Sequence, residues 1–143
     1  MTAAERTRTV TADLLIPASP VNVAVVRQAA AAAAQACGFA NERIDDVVLA
    51  VGEASANVVV HAYDGAPGML QLAIDDEADR LHIVVRDWGG GMTPRPDRAG
   101  LGLGLPLIGA LADAVDLATS GDGTTEIRMC FGVAPGAGAR VDL

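Results

Sequence analysis

Twice along this chain, two short apolar runs are separated by nothing longer than a turn. Residues 69–75 and 81–86 flank the acidic segment Asp75-Asp76-Glu77-Ala78-Asp79, and residues 115–119 and 125–131 flank Ser120-Gly121-Asp122-Gly123. Runs this close can pair only antiparallel, because a parallel crossover needs a dozen or more residues. Val10, Ala12, Leu14 and Ile16 alternate with more polar neighbours and stop at Pro17, which adds a fifth strand. Two helices separate it from the first pair. Ser19-Pro20 reads as an N-cap with proline in the first turn, and Gly38 stops the alanine-rich run after Cys37. Asn41 caps a second helix from Glu42 to about His61, closed by Asp64-Gly65 and Pro67-Gly68. Pro106 starts a third helix that reaches about Ala112. This order predicts an α+β fold: a two-layer α/β sandwich, its mixed sheet mostly antiparallel, its helices on one face.

The chain has 143 residues, enough for one domain with a real core. We expect that domain over residues 1–131 and a loose, flexible tail rich in Gly, Ala and Pro over 132–143. The charge balance excludes several functions. There are 10 basic and 18 acidic residues, a net charge of -8, and an acidic surface repels phosphodiester backbones, so direct nucleic-acid binding is not expected. Every basic residue is arginine, which rules out a Walker A loop with its obligatory lysine. Cys37, Cys130, His61 and His82 make no metal pattern, and both cysteines read as reduced core residues. The polar start of the chain is not expected to act as a signal peptide, and the apolar run over 99–112 falls below the roughly 18–20 residues of a membrane span. The expected setting is cytoplasmic, with no membrane partner.

The second helix has two faces. At 100° per residue, Ile44, Val47, Val51, Ala54, Val58 and Ala62 share one side, and Asp46, Glu53, Asn57 and His61 share the other. Glu53 and Asn57 stand one turn apart. An amphipathic helix always has a wet side, which is the plain reading. Two features oppose it: Leu49 and Val60 flank the stripe, and a mid-helix asparagine costs roughly half a kcal/mol relative to alanine.

The apolar run over 81–86 ends in Asp87-Trp88-Gly89-Gly90-Gly91-Met92. A carboxylate at the lip of a buried strand, beside bare backbone, can accept a hydrogen bond from an exocyclic amine such as that of adenine. A hairpin turn with an Asp cap explains the same residues. Further on, Gly100-Leu101-Gly102-Leu103-Gly104-Leu105-Pro106 precedes the third helix. Free backbone N–H groups and the helix dipole there would attract phosphate, although a flexible linker reads the same way. These glycines follow the polar loop over 93–98 rather than a strand, so a dinucleotide fingerprint fits poorly.

The order of the pieces decides. Glu53-Ala54-x-x-Asn57-x-x-x-His61-Ala62-Tyr63, then Asp87-x-Gly89-x-Gly91-Met92, then Gly100-x-Gly102-x-Gly104, then Gly123-Thr124, resembles the Bergerat-type ATP-binding domain shared by gyrase, Hsp90, histidine kinases and MutL. Within that superfamily the chain is most similar to the small bacterial anti-sigma factor serine kinases, over about residues 10–131. The resemblance implies ATP and Mg²⁺ as cofactors, with Asn57 as the metal ligand and Glu53 as the general base toward a substrate serine. It also implies that Asp87 holds the adenine amino group with Thr124 in support. Gly89 and Gly91 would make room for the purine, Gly102 and Gly104 would wrap the phosphates, and Met92 would open a lid over 92–99 carrying Arg95 and Arg98. The implied partners are a sigma factor, an anti-sigma factor antagonist as phosphorylation substrate, and a second copy in a homodimer. The lid is short for this branch, Trp88 is bulky for its place, and no lysine can assist transfer. The alternatives are a non-catalytic nucleotide-binding module that only sequesters its partner, and the catalytic half of a histidine kinase. No phospho-acceptor helix pair accompanies the latter.

Overall fold

The computed structural model describes residues 8–90, 101–133 and 140–142; within 101–104 and 140–142 it describes the backbone alone. The chain runs β1 (Arg8–Pro17), α1 (Pro20–Ala36), α2 (Asn41–Asn57), a π-helical turn (Val58–Ala62), β2 (Met69–Glu77), β3 (Arg80–Asp87), α3 (Leu101–Leu111), β4 (Ala114–Thr119), β5 (Thr125–Gly132) and β6 (Arg140–Asp142). The six strands form one sheet in the order β1-β2-β3-β5-β4-β6, antiparallel except for the β4–β6 edge. The expected two-layer α+β sandwich is what the chain adopts. Within the segment expected to be a loose tail, Arg140–Asp142 pair with Ala114–Asp116 of β4.

Alternation along the strands gives the sheet one dry face. Leu70, Leu72 and Ile74 of β2, Leu81, Ile83 and Val85 of β3, and Ile127, Met129 and Phe131 of β5 are all buried. The register lines them up across strands, as Leu72↔Val85↔Ile127 and Ile74↔Ile83↔Met129. Val26, Ala30 and Ala34 of α1 and Val47, Val51, Ala54 and Val58 of the second helical run complete the core. Small alanines let α1 lie close to α2, so the core closes with few aromatic side chains.

The helix ends follow local chemistry with two differences from expectation. After α1, Gly38 takes φ 88, its N–H reaches the Gln35 carbonyl, and the Phe39 N–H reaches that of Ala34. That is a Schellman stop, closed by the buried Phe39 side chain. At the start of α2 the N-cap is Ala40, so Asn41 is already the first helical residue. Helix α3 begins at Leu101, before Pro106, which lies inside it. Proline so near the N-terminus removes only one helical hydrogen bond, and packing against α2 supports the earlier start.

Arg43 joins these layers. It is 4% exposed and donates to the carbonyls of Gly132 (3.1 Å) and Leu111 (2.8 Å), the latter being the last residue of α3. It pairs with Asp113 at 2.9 Å and Asp46 at 3.1 Å, and lies 5.2 Å from the Phe131 ring centroid. A buried guanidinium needs this many partners.

Candidate functional site

Asp87 is the last residue of β3 and faces the helices. It sits between Leu70 of β2 and Thr125 of β5, on the same side of the sheet as Val85 and Ile83. Both Asp87 and Thr125 are fully buried. Asp87 Oδ1 accepts the Gly89 N–H at 2.9 Å. Asp87 Oδ2 and Thr125 Oγ1 have no hydrogen-bond partner within the described residues. Burial pushes the Asp87 carboxyl above the ordinary carboxylate range, and the Gly89 N–H offsets only part of that. An orphaned buried carboxylate oxygen costs stability, so its presence points to a ligand that completes it.

The second helix lies over this point. Its π-helical end brings the Ala62 carbonyl so close to Gly89 that a Cβ on Gly89 would meet that oxygen at 1.9 Å. Gly89 therefore lacks a side chain because the protein's own backbone occupies the space. The π turn also interrupts the 100° spacing, so His61 does not continue the Glu53–Asn57 stripe as a regular helix would place it. Asn57 is 6% exposed with its Nδ2 unpartnered, and Glu53 is half-buried one turn before it. Leu49 and Val60, expected to shield that side, are exposed instead.

The remaining expected residues fall differently. Thr124 is half-buried in the β4–β5 turn, where its N–H donates to Asp122 Oδ1 at 3.0 Å; Thr125 is the cross-strand neighbour of Asp87. Gly102 and Gly104 lie within α3 rather than in a loop ahead of it. Gly91, Met92 and the lid over 92–99 lie outside the described residues. Among the described residues no three His, Cys, Asp or Glu side chains converge as a metal cage.

Two residues carry more than the sequence reading gave them. Thr125 could have been found by alternation, since Ile127, Met129 and Phe131 continue its face. Tyr63 was part of the motif without a role. Its hydroxyl donates to the Met69 carbonyl at 2.5 Å and accepts the Trp88 N–H at 3.0 Å.

A buried acceptor thus lies at a strand end, under a helix that carries a glutamate and an amide one turn apart, and residues 16–131 match the family described as the histidine kinase-like ATPase domain. The chain belongs to that family. Within it, the chain is 34% identical to the serine-protein kinase RsbW of Halalkalibacterium halodurans over 122 residues, which cover 75% of each protein. It is 35% identical to the RsbW of Bacillus pumilus, over 73% of this chain and 76% of that one. In three dimensions it resembles the crystal structure of the RsbU and RsbW domains of Rv1364c from Mycobacterium tuberculosis, with a TM-score of 0.67 at 22% identity. That likeness covers 93% of this chain and 35% of the other, so the chain spans about a third of that longer protein, and it shows the fold alone. No described helix is long and apolar enough to cross a membrane.

Proposed function

We propose that this protein is an ATP-dependent serine kinase that doubles as an anti-sigma factor. It sequesters a sigma factor and phosphorylates a serine of a small antagonist protein, and phosphorylation switches the partners by adding roughly two negative charges at their interface. The observation that carries the reading is the orphaned pair of Asp87 Oδ2 and Thr125 Oγ1 at the end of β3. These atoms suit an adenine amino group and the water beside it. The curated relatives, named serine-protein kinases over most of their length, support the same reading.

In this reading Asp87 accepts from the adenine and Thr125 supports it. Glu53, half-buried on the second helix, takes the proton from the attacking serine hydroxyl or orients it. Asn57 would hold Mg²⁺, whose role is to neutralise phosphate charge during transfer. The backbone around Gly102 and Gly104 at the start of α3 binds phosphate, with the helix dipole behind it. Arg43 fixes the far end of the same helix. We further assign a cytoplasmic setting and a homodimer, following the family resemblance.

The test is transfer itself. Purified protein, labelled ATP, Mg²⁺ and a candidate antagonist should put label on an antagonist serine. Glu53→Ala should keep ATP binding and lose the label. Tight ATP binding by the native protein with no label at long times would refute the kinase and leave a module that acts by sequestration.

A further inference from the structure

The β2–β3 ladder stops at Leu70↔Asp87, although the next rung would join Met69 to Trp88. An oxygen atom stands where that rung would form. The Tyr63 hydroxyl donates to the Met69 carbonyl and accepts the Trp88 N–H, so it joins the two groups a further rung would bring together. The ring is held in place from behind, since a Cβ on Gly68 would lie 2.3 Å from Tyr63 ring atoms. Tyr63 directly follows the π-helical turn, and the preceding Ala62 carbonyl seats on Gly89. Two consecutive residues at the end of the second helical run thus hold two consecutive residues at the exit of β3. Farther along, the Gly90 N–H reaches the Gly123 carbonyl at 3.2 Å.

We propose that Tyr63 is a positioning residue for the purine end of the site. Its phenol wedges β3 from β2 one residue after Asp87 and so sets the path of the backbone that a purine lies against. This rests on the nucleotide reading above. The fold does not need the hydroxyl, because both groups it bonds lie at the surface, where water can replace it. What the hydroxyl alone supplies is a fixed separation of the strands. Without it the ladder can close by one rung, which shifts Trp88 and turns the Asp87 carboxylate off its line.

The test compares the native protein with Tyr63→Phe, which keeps the ring on Gly68, and Gly68→Ala, which displaces the ring. Calorimetry with ATP and with ADP should give dissociation constants raised about five- to tenfold in both variants, with the ATP-to-ADP ratio unchanged, because both nucleotides share the purine. KM for ATP should rise by the same factor while kcat at saturating ATP stays at the native value. A merely structural role would instead lower the melting temperature and the fraction of competent protein at an unchanged dissociation constant, and would overturn the proposal. So would dissociation constants within twofold of native in Tyr63→Phe while Asp87→Asn weakens binding on the order of 100-fold; the nucleotide site would then stand and the wedge would fall. Native protein that binds neither nucleotide would overturn both.

Discussion

Two consecutive rungs of the β3–β5 ladder treat a carboxylate in opposite ways. Arg86↔Glu126 faces the open side of the sheet, and Asp87↔Thr125 faces the helices. On the open side Glu126 is bridged by Arg86 and by Arg128, the latter at 2.7 Å. Arg86 also reaches Gln71 at 2.6 Å, and Gln71 reaches Asp13 at 3.0 Å. Burial pushes the Glu126 carboxyl up, but hydrogen bonds from Arg128 and Arg86 outweigh it and hold the group below its usual range. One residue away, Asp87 has, among the described residues, a single backbone donor and an orphaned second oxygen, and its carboxyl is pushed up by burial. Evolution of a fold for stability alone would place the carboxylates the other way round. The pair that is fully satisfied carries no function that we can read, and the one left incomplete marks the site.

Breaking the buried rung should have the largest effect. Asp87→Asn presents a second donor to the adenine amino group and should weaken ATP binding on the order of 100-fold, the value of a lost hydrogen bond to a charged group of about 1.5–3 kcal/mol. The same variant should raise the melting temperature of the unliganded protein, because it removes a buried unpaired charge. A fall in both affinity and melting temperature would mean that Asp87 is structural. Next in size, Thr125→Val should weaken ATP binding by about 5-fold, on the scale of one neutral hydrogen bond of about 1 kcal/mol, with Thr124→Val near native by the same calorimetry. The reverse ranking would restore the turn residue to the site.

The pH dependence sharpens the contrast further. The folded Asp87 carboxyl lies above its unfolded value, so the folded state binds the proton more readily. Its contribution to stability is complete below the ordinary carboxylate value and is lost as pH rises through the raised folded one. Unliganded melting temperature should therefore decline across that window in the native protein relative to Asp87→Asn, while ATP affinity rises as the acceptor ionises. Opposite slopes for stability and affinity in one titration would be hard to obtain from any surface group. Glu126, held low, follows the other rule: its stabilisation is present above the ordinary value and is lost as pH falls through the depressed folded one. The smallest effect belongs to the open face. Glu126→Gln should change stability by less than about 1 kcal/mol, more weakly still at high salt, and leave ATP affinity untouched.

Much of this protein can be read along one dimension. The two turn-linked strand pairs, the alternation on each strand, the Gly38 stop and the one-turn spacing of Glu53 and Asn57 all depend on near neighbours in the chain. They emerge from periodicity and local sterics, and so does the position of Asp87 at the end of an apolar run. Tertiary contacts decided the rest. Thr125 rather than Thr124 stands beside Asp87 because of the register between β3 and β5, residues 38 positions apart, which no local pattern encodes. Gly89 is a glycine because the Ala62 carbonyl arrives from another element, and Tyr63 holds the exit of β3 from 25 residues away. Helix α3 starts before its proline because α2 lies alongside it. A sequence sets which side chains share a face, since that follows from the repeat of the backbone. Which faces then meet, and which polar atom is left without a partner, is settled only when the whole core closes.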